Sequence, residues 1–124
     1  MLQTRSMLKV ADNTGVKKVM LIGIPGRGNR RYAYIGDVIT VTVKEADPQS
    51  EIKKGTIVHA VIVRTRKEYR RKDGSYIRFD DNACVILQSR KSKEPKGTKV
   101  FGPIAKEVRD LGYSKIAALA PEIY

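Results

Sequence analysis

The side chains in this sequence with the most obvious chemical purpose are its cations. Six of them (Arg64, Arg66, Lys67, Arg70, Arg71 and Lys72) crowd one short stretch against a single acid, Glu68. Five more (Arg90, Lys91, Lys93, Lys96 and Lys99) follow against Glu94, and Arg27, Arg30 and Arg31 stand beside Gly26 and Gly28. Together these groups hold fourteen of the 25 Lys and Arg residues. Like charges at that density repel one another, so they are poorly explained as fold stabilisation, whereas a polyanion relieves the repulsion.

Other reactive groups lack partners. His59 is the only histidine and lies in an apolar stretch between Val58 and Ala60, with no clustered cysteine or second histidine to build a zinc site or a dyad. Cys84, the only cysteine, sits between Ala83 and Val85, where a thiol behaves as a small hydrophobe. Asp73, Asp80 and Asp81 offer carboxylates for a magnesium ion, but Asp73-Gly74 and Asp80-Asp81-Asn82 read first as turns. Gly26 and Gly28 lack the remaining residues of a dinucleotide or P-loop motif. No metal and no cofactor is expected. A metal-dependent nucleic-acid enzyme working through Asp80 or Asp81 stands as an alternative, as does a single-strand binder that stacks bases on Tyr32, Tyr34 or Tyr69. Of these tyrosines, Tyr69 is the one expected to be exposed, because it lies inside the first cluster, between Glu68 and Arg70.

The elements that must position these side chains are mostly strands. The chain has 124 residues, 41% hydrophobic and 31% charged, with a net charge of +12, a composition that suits one domain over residues 1–124 and excludes a disordered tail. Lys18 to Ile24 and Asp37 to Val43 are rich in Val and Ile, and the second alternates with a period of two. Ile57 to Arg64 is almost continuously apolar, as in a strand covered on both sides or curved into a barrel. Tyr76 to Phe79 and Ala83 to Leu87 complete the set, and Met7 to Ala11 is expected as a short edge strand. Turn residues at Asp12-Asn13-Thr14-Gly15, Ile35-Gly36-Asp37, Asp47-Pro48, Lys54-Gly55 and Asp73-Gly74 separate the strands. The pattern predicts a mainly β protein, a small barrel or sandwich over roughly residues 1–100. A helical part follows over roughly 103–120: Pro103 is placed as a first-turn proline, with Ile104, Val108 and Leu111 near helical spacing and Gly112 as a stop, and Lys115 to Leu119 forms a second turn before Pro121.

Those elements decide which polyanion fits. The one substantial helix carries Lys106, Glu107, Arg109 and Asp110, a balanced face unlike a DNA major-groove reader, and no basic amphipathic helix suited to a membrane surface is present. Basic loops on a rigid barrel fit folded RNA, whose shape and phosphates are read more than its sequence. The longest apolar runs are too short to span a bilayer. A single cysteine and an N-terminus without a secretory pattern predict a cytoplasmic, reducing location.

The same residues carry a resemblance. Ala60-Val61-Ile62-Val63, Asp73-Gly74, Phe79, Asn82 and Val85-Ile86 stand at the spacing of the signature of the family of large-subunit ribosomal protein fourteen. Val10-Ala11-Asp12-Asn13-Thr14-Gly15, Ile35-Gly36-Asp37-Val38-Ile39, Gly97-Thr98-Lys99-Val100-Phe101-Gly102-Pro103 and Leu119-Ala120-Pro121-Glu122 resemble the bacterial type. The resemblance implies a five-stranded closed β-barrel with a short C-terminal helical segment, in a structural protein that binds large-subunit rRNA. It further implies a place on the intersubunit face, contact with small-subunit rRNA, ribosomal proteins three and nineteen as neighbours, and a ribosome-silencing factor as a family-level partner. An organellar ribosome fits as well as a cytoplasmic one. The residues expected to touch RNA are Arg30, Arg31, Arg64, Arg66, Lys67, Arg70, Arg71, Arg78, Lys96 and Lys99.

Overall fold

The computed structural model describes residues 2–25 and 32–124. Five strands close into a barrel: β1 (Met7–Val10), β2 (Val16–Gly23), β3 (Val38–Ala46), β4 (Ile57–Arg64) and, after an excursion, β7 (Ala83–Ile86). The excursion between β4 and β7 is a two-stranded hairpin of β5 (Tyr69–Arg70) and β6 (Tyr76–Ile77). Two short helices, α1 (Lys106–Asp110) and α2 (Ser114–Leu119), lie near the C-terminus.

Alternation places the core. Leu8, Val19, Leu21, Ile39, Val41, Val43, Ala60, Ile62, Cys84 and Ile86 point inward and are essentially inaccessible to solvent. On β4 and β7 the outward positions Val61, Val63 and Val85 are equally buried. The reason is the C-terminal segment, which contributes Ile104, Ala105, Val108 and Ile116 to the same core and whose Ala105 N–H donates to the Val63 carbonyl at 3.2 Å. A strand with a second layer over it has no polar face, which is why Ala60 to Val63 reads as an unbroken apolar run, whereas Ile57 at the start of β4 is exposed.

Three local expectations change. Met7–Val10 is not an edge: it pairs antiparallel with β2 and parallel with β7, so it closes the barrel and leaves no open edge there. Tyr76 to Phe79 is not a barrel strand; only Tyr76–Ile77 is extended, paired to Tyr69–Arg70 across the Asp73-Gly74 turn. The first helix starts at Lys106 rather than at Pro103. Ile104 donates to the Glu122 carbonyl and accepts from Tyr124, so the residues after the proline are spent on a strand-like bridge. Gly112 does stop the helix, with φ of 99° and its N–H on the Arg109 carbonyl.

Candidate nucleic-acid interface

The hairpin carries the first cationic cluster, and the fold divides that cluster in two. Arg64 ends β4 and turns inward, its side chain only 10% exposed. Its Nε donates to Asp81 Oδ1 at 2.9 Å, its Nη2 to Asp81 Oδ2 at 3.3 Å, and its Nη1 to the carbonyls of Phe101 and Pro103 at 2.9 and 3.1 Å. A planar fork is needed to reach both carboxylate oxygens while still serving two carbonyls, which an ammonium cannot do. Gly102 passes so close that a Cβ there would sit 2.4 Å from Arg64 Nη1.

Arg71 has the same character at the far end of the hairpin. It donates through Nε and Nη2 to the two carboxylate oxygens of Glu107 on α1, at 2.9 and 3.1 Å, and through Nη2 to the carbonyl of Tyr124. The hairpin is therefore pinned at its base by Arg64 and along its length by Arg71. Asn82 Oδ1 accepts from the Arg66 backbone N–H at 2.8 Å and Phe79 N–H donates to the Thr65 carbonyl, which closes the base further. At the tip, Gly74 adopts φ of 88° and Asp73 Oδ1 accepts from both the N–H and the hydroxyl of Ser75. Those two hydrogen bonds hold the Asp73 carboxyl below its ordinary range.

The remaining cations face water. Arg66, Arg70, Lys72 and Arg78 are exposed and enter no ion pair among the described residues. Lys67 is exposed and lies 3.1 Å from Glu68, a surface pair of small energetic weight. Arg70 and Lys72 line a groove between the hairpin and α1 together with Tyr69, Lys106 and Leu111. The spacing of the sequence places Arg64 and Arg71 among the RNA contacts, whereas the fold gives both an internal partner. Tyr69 is half-buried and packed against the core rather than freely exposed.

The second cluster is tied down by its backbone. Lys96 N–H donates to the Ile86 carbonyl, and Asn13 Oδ1 accepts from the N–H groups of Thr98 and Lys99 at 2.8 and 3.1 Å. The side chains of Lys96 and Lys99 are left exposed on a fixed loop. Lys93 instead donates to the Leu111 carbonyl at 2.6 Å and lies 5.4 Å from the centroid of the Tyr113 ring. Asn13 and Asn82 are positioning residues that charge counting misses; their place in turn sequences is the only signal for them. Arg30 and Arg31, with the third cluster, lie outside the described residues.

The catalytic alternatives find little support in this geometry. Cys84 is fully buried and its thiol is pushed far up by that burial, so it carries no thiolate. His59 Nδ1 lies 3.3 Å from Thr40 Oγ1, and among the described residues no acid pairs with it. Asp81, one of the imagined metal ligands, is the partner of Arg64, and no group of three metal-ligating side chains occurs among the described residues.

A closed five-stranded barrel carrying a basic hairpin that Arg64 and Arg71 pin in place defines a small basic β-barrel protein that leaves Arg66, Arg70 and Lys72 exposed on that hairpin. Comparison with known proteins gives the family: the model for ribosomal protein L14p/L23e matches residues 1–124. The chain is 62% identical over 123 residues to large ribosomal subunit protein uL14 of Aquifex aeolicus (strain VF5), covering 99% of each chain. It is 61% identical over 123 residues to the protein of the same name from Aquifex pyrophilus, again covering 99% of each. The chain belongs to the L14p/L23e family of ribosomal proteins, structural and non-enzymatic components of the large subunit.

Proposed function

We propose that this chain binds large-subunit rRNA through the exposed cations of its hairpin and of the Lys96–Lys99 loop, and that Arg64 and Arg71 hold the hairpin in the orientation that contact requires. The observation that carries the reading is the division within one cluster: Arg66, Arg70 and Lys72 are exposed and enter no ion pair among the described residues, while Arg64 and Arg71 are consumed internally. Cations left in water on a rigid support lose little entropy when they meet phosphates and release the counterions of the RNA. Lys67, Lys96 and Lys99 extend the same surface, and Arg30 and Arg31 are assigned to it from the sequence alone.

Membership of the family supports a finer placement. The protein sits on the face of the large subunit that meets the small one, touches small-subunit rRNA there, has ribosomal proteins three and nineteen as neighbours, and offers a surface to a ribosome-silencing factor. In a cell it works within cytoplasmic ribosomes. Sedimentation of a tagged chain tests the reading. The chain co-migrates with the large subunit at moderate salt, and an Arg70→Glu/Lys72→Glu variant of unchanged fold does so poorly. Free migration of the unaltered chain, or normal incorporation of the variant, would count against it.

A further inference from the structure

The groove between the hairpin and α1 joins two chemistries in one small space. Its volume is about 400 Å³, near the lower end of the roughly 300–1,000 Å³ typical of small-ligand sites. It holds one compact group, not a length of helix or strand. Ile35, Tyr69 and Leu111 give it an apolar lining. Leu111 packs onto Gly36, its Cδ1 only 2.3 Å from where a Cβ would stand, and is still 50% exposed.

The charges around that lining are unequally committed. Each acid has a partner: Asp73 accepts from Ser75, Glu107 is held by Arg71, and Asp110 lies 3.7 Å from Arg109. Arg70, Lys72 and Lys106 enter no ion pair among the described residues, although Lys106 acts on the Asp73 charge across the groove. Of all the charged residues that line the groove, four cations stand against three acids, an excess of one.

From this we infer that the groove receives a single unpaired nucleotide of the rRNA, its base laid against Tyr69 and Leu111 and its phosphate met by Arg70, Lys72 and Lys106. The inference rests on the reading of the chain as an rRNA-binding protein, and adds a base to a contact that exposed cations alone would limit to phosphate. Charge and shape select this occupant. A phosphodiester carries one negative charge, which the excess of one matches, whereas a free nucleoside di- or triphosphate brings several and sets them beside three carboxylates. A peptide segment would bring backbone N–H and C=O groups that an apolar lining cannot satisfy. A paired RNA segment keeps its bases stacked within the helix and has none to insert. An unpaired base has a π-face and an apolar body, which suit an aromatic ring beside an aliphatic side chain whatever the base is.

Ultraviolet irradiation of large subunits carrying the unaltered chain, followed by nuclease and protease digestion, tests this without any substitution. A peptide containing Tyr69 or Leu111 is expected to carry one nucleotide, which maps to an unpaired position of the rRNA. Nucleotides found only on peptides from elsewhere in the chain would overturn the inference and leave the proposed RNA contact standing, whereas no nucleotide on any peptide would strike both. Salt titration of the full chain against large-subunit rRNA then separates base from phosphate. Lys106→Ala should make the slope of log affinity against log salt shallower by about 0.7–0.9. Leu111→Ala, checked for an unchanged fold, should weaken binding roughly fivefold at every salt concentration with the parental slope. Parental affinity in Leu111→Ala would overturn the inference. So would saturable micromolar binding of ATP to the chain in the absence of rRNA, which would assign the groove to a free nucleotide.

Discussion

Arg71 and Glu107, thirty-six residues apart in sequence, share a two-point ion pair that ties the hairpin to the first C-terminal helix. Arg64 and Asp81 do the same at the hairpin base. Removing one partner of such a pair strands the other, so the cost exceeds the net worth of the interaction. Arg64→Ala is expected to lower unfolding free energy by about 2–4 kcal/mol, since Asp81 and two carbonyls lose their donor. Arg71→Ala is expected to cost about 1–3 kcal/mol. Arg66→Ala, with its side chain in water, should lie within roughly 0.5 kcal/mol of the parent. Urea denaturation checks all three, and a ranking in which Arg66→Ala is the most damaging would refute the division.

The close passage of Gly102 over Arg64 separates two glycines of similar backbone conformation. Gly74 has φ of 88° with open space around it, and Gly102 has φ of 78° with the guanidinium in the way. Gly74→Ala therefore suffers only the left-handed backbone penalty of about 1–2 kcal/mol. Gly102→Ala adds displacement of Arg64, and is expected to be the more destabilising of the two by thermal melting. Equal effects would mean that Arg64 yields its place without cost.

Asp12 makes stability depend on pH in an unusual direction. Its carboxylate is buried, which raises its pKa more than the hydrogen bonds from Thr14 and from the Ile86 N–H lower it. In the acid range the folded state then binds the Asp12 proton more tightly than the unfolded chain does. The stabilising contribution of this group is complete below its unfolded pKa, roughly 3.9, and is lost as pH rises through the higher folded value. Measured by urea titration, the stability advantage of the parent over Asp12→Asn should shrink as pH rises from about 4. Carboxyl NMR should place the Asp12 midpoint above that of a free aspartate, and a midpoint below it would contradict the burial argument.

The elements of the barrel were legible in the sequence because each follows a local rule. Alternation marks Val38 to Val43, turn residues mark the breaks, and the apolar run Ala60 to Val63 signals the part of β4 that is covered on both sides, while Ile57 at its start is exposed. What escaped was set by partners distant in sequence. Nothing near Met7 indicates that β7 lies beside it in parallel, and Pro103 resembles a helix start until Glu122 and Tyr124 take the backbone of Ile104. The division within the first cationic cluster escaped for the same reason: Arg64 and Arg71 are indistinguishable from Arg66 and Arg70 in a count of charge, and only the positions of Asp81 and Glu107 in space separate them.

The division of the hairpin cations is tested most directly by the salt dependence of binding to large-subunit rRNA. Each phosphate neutralised contributes roughly 0.7–0.9 to the slope of log affinity against log salt. The Arg66→Ala/Arg70→Ala chain should show a slope shallower than the parent by about 1.4–1.8. A double variant with the parental slope would contradict the account.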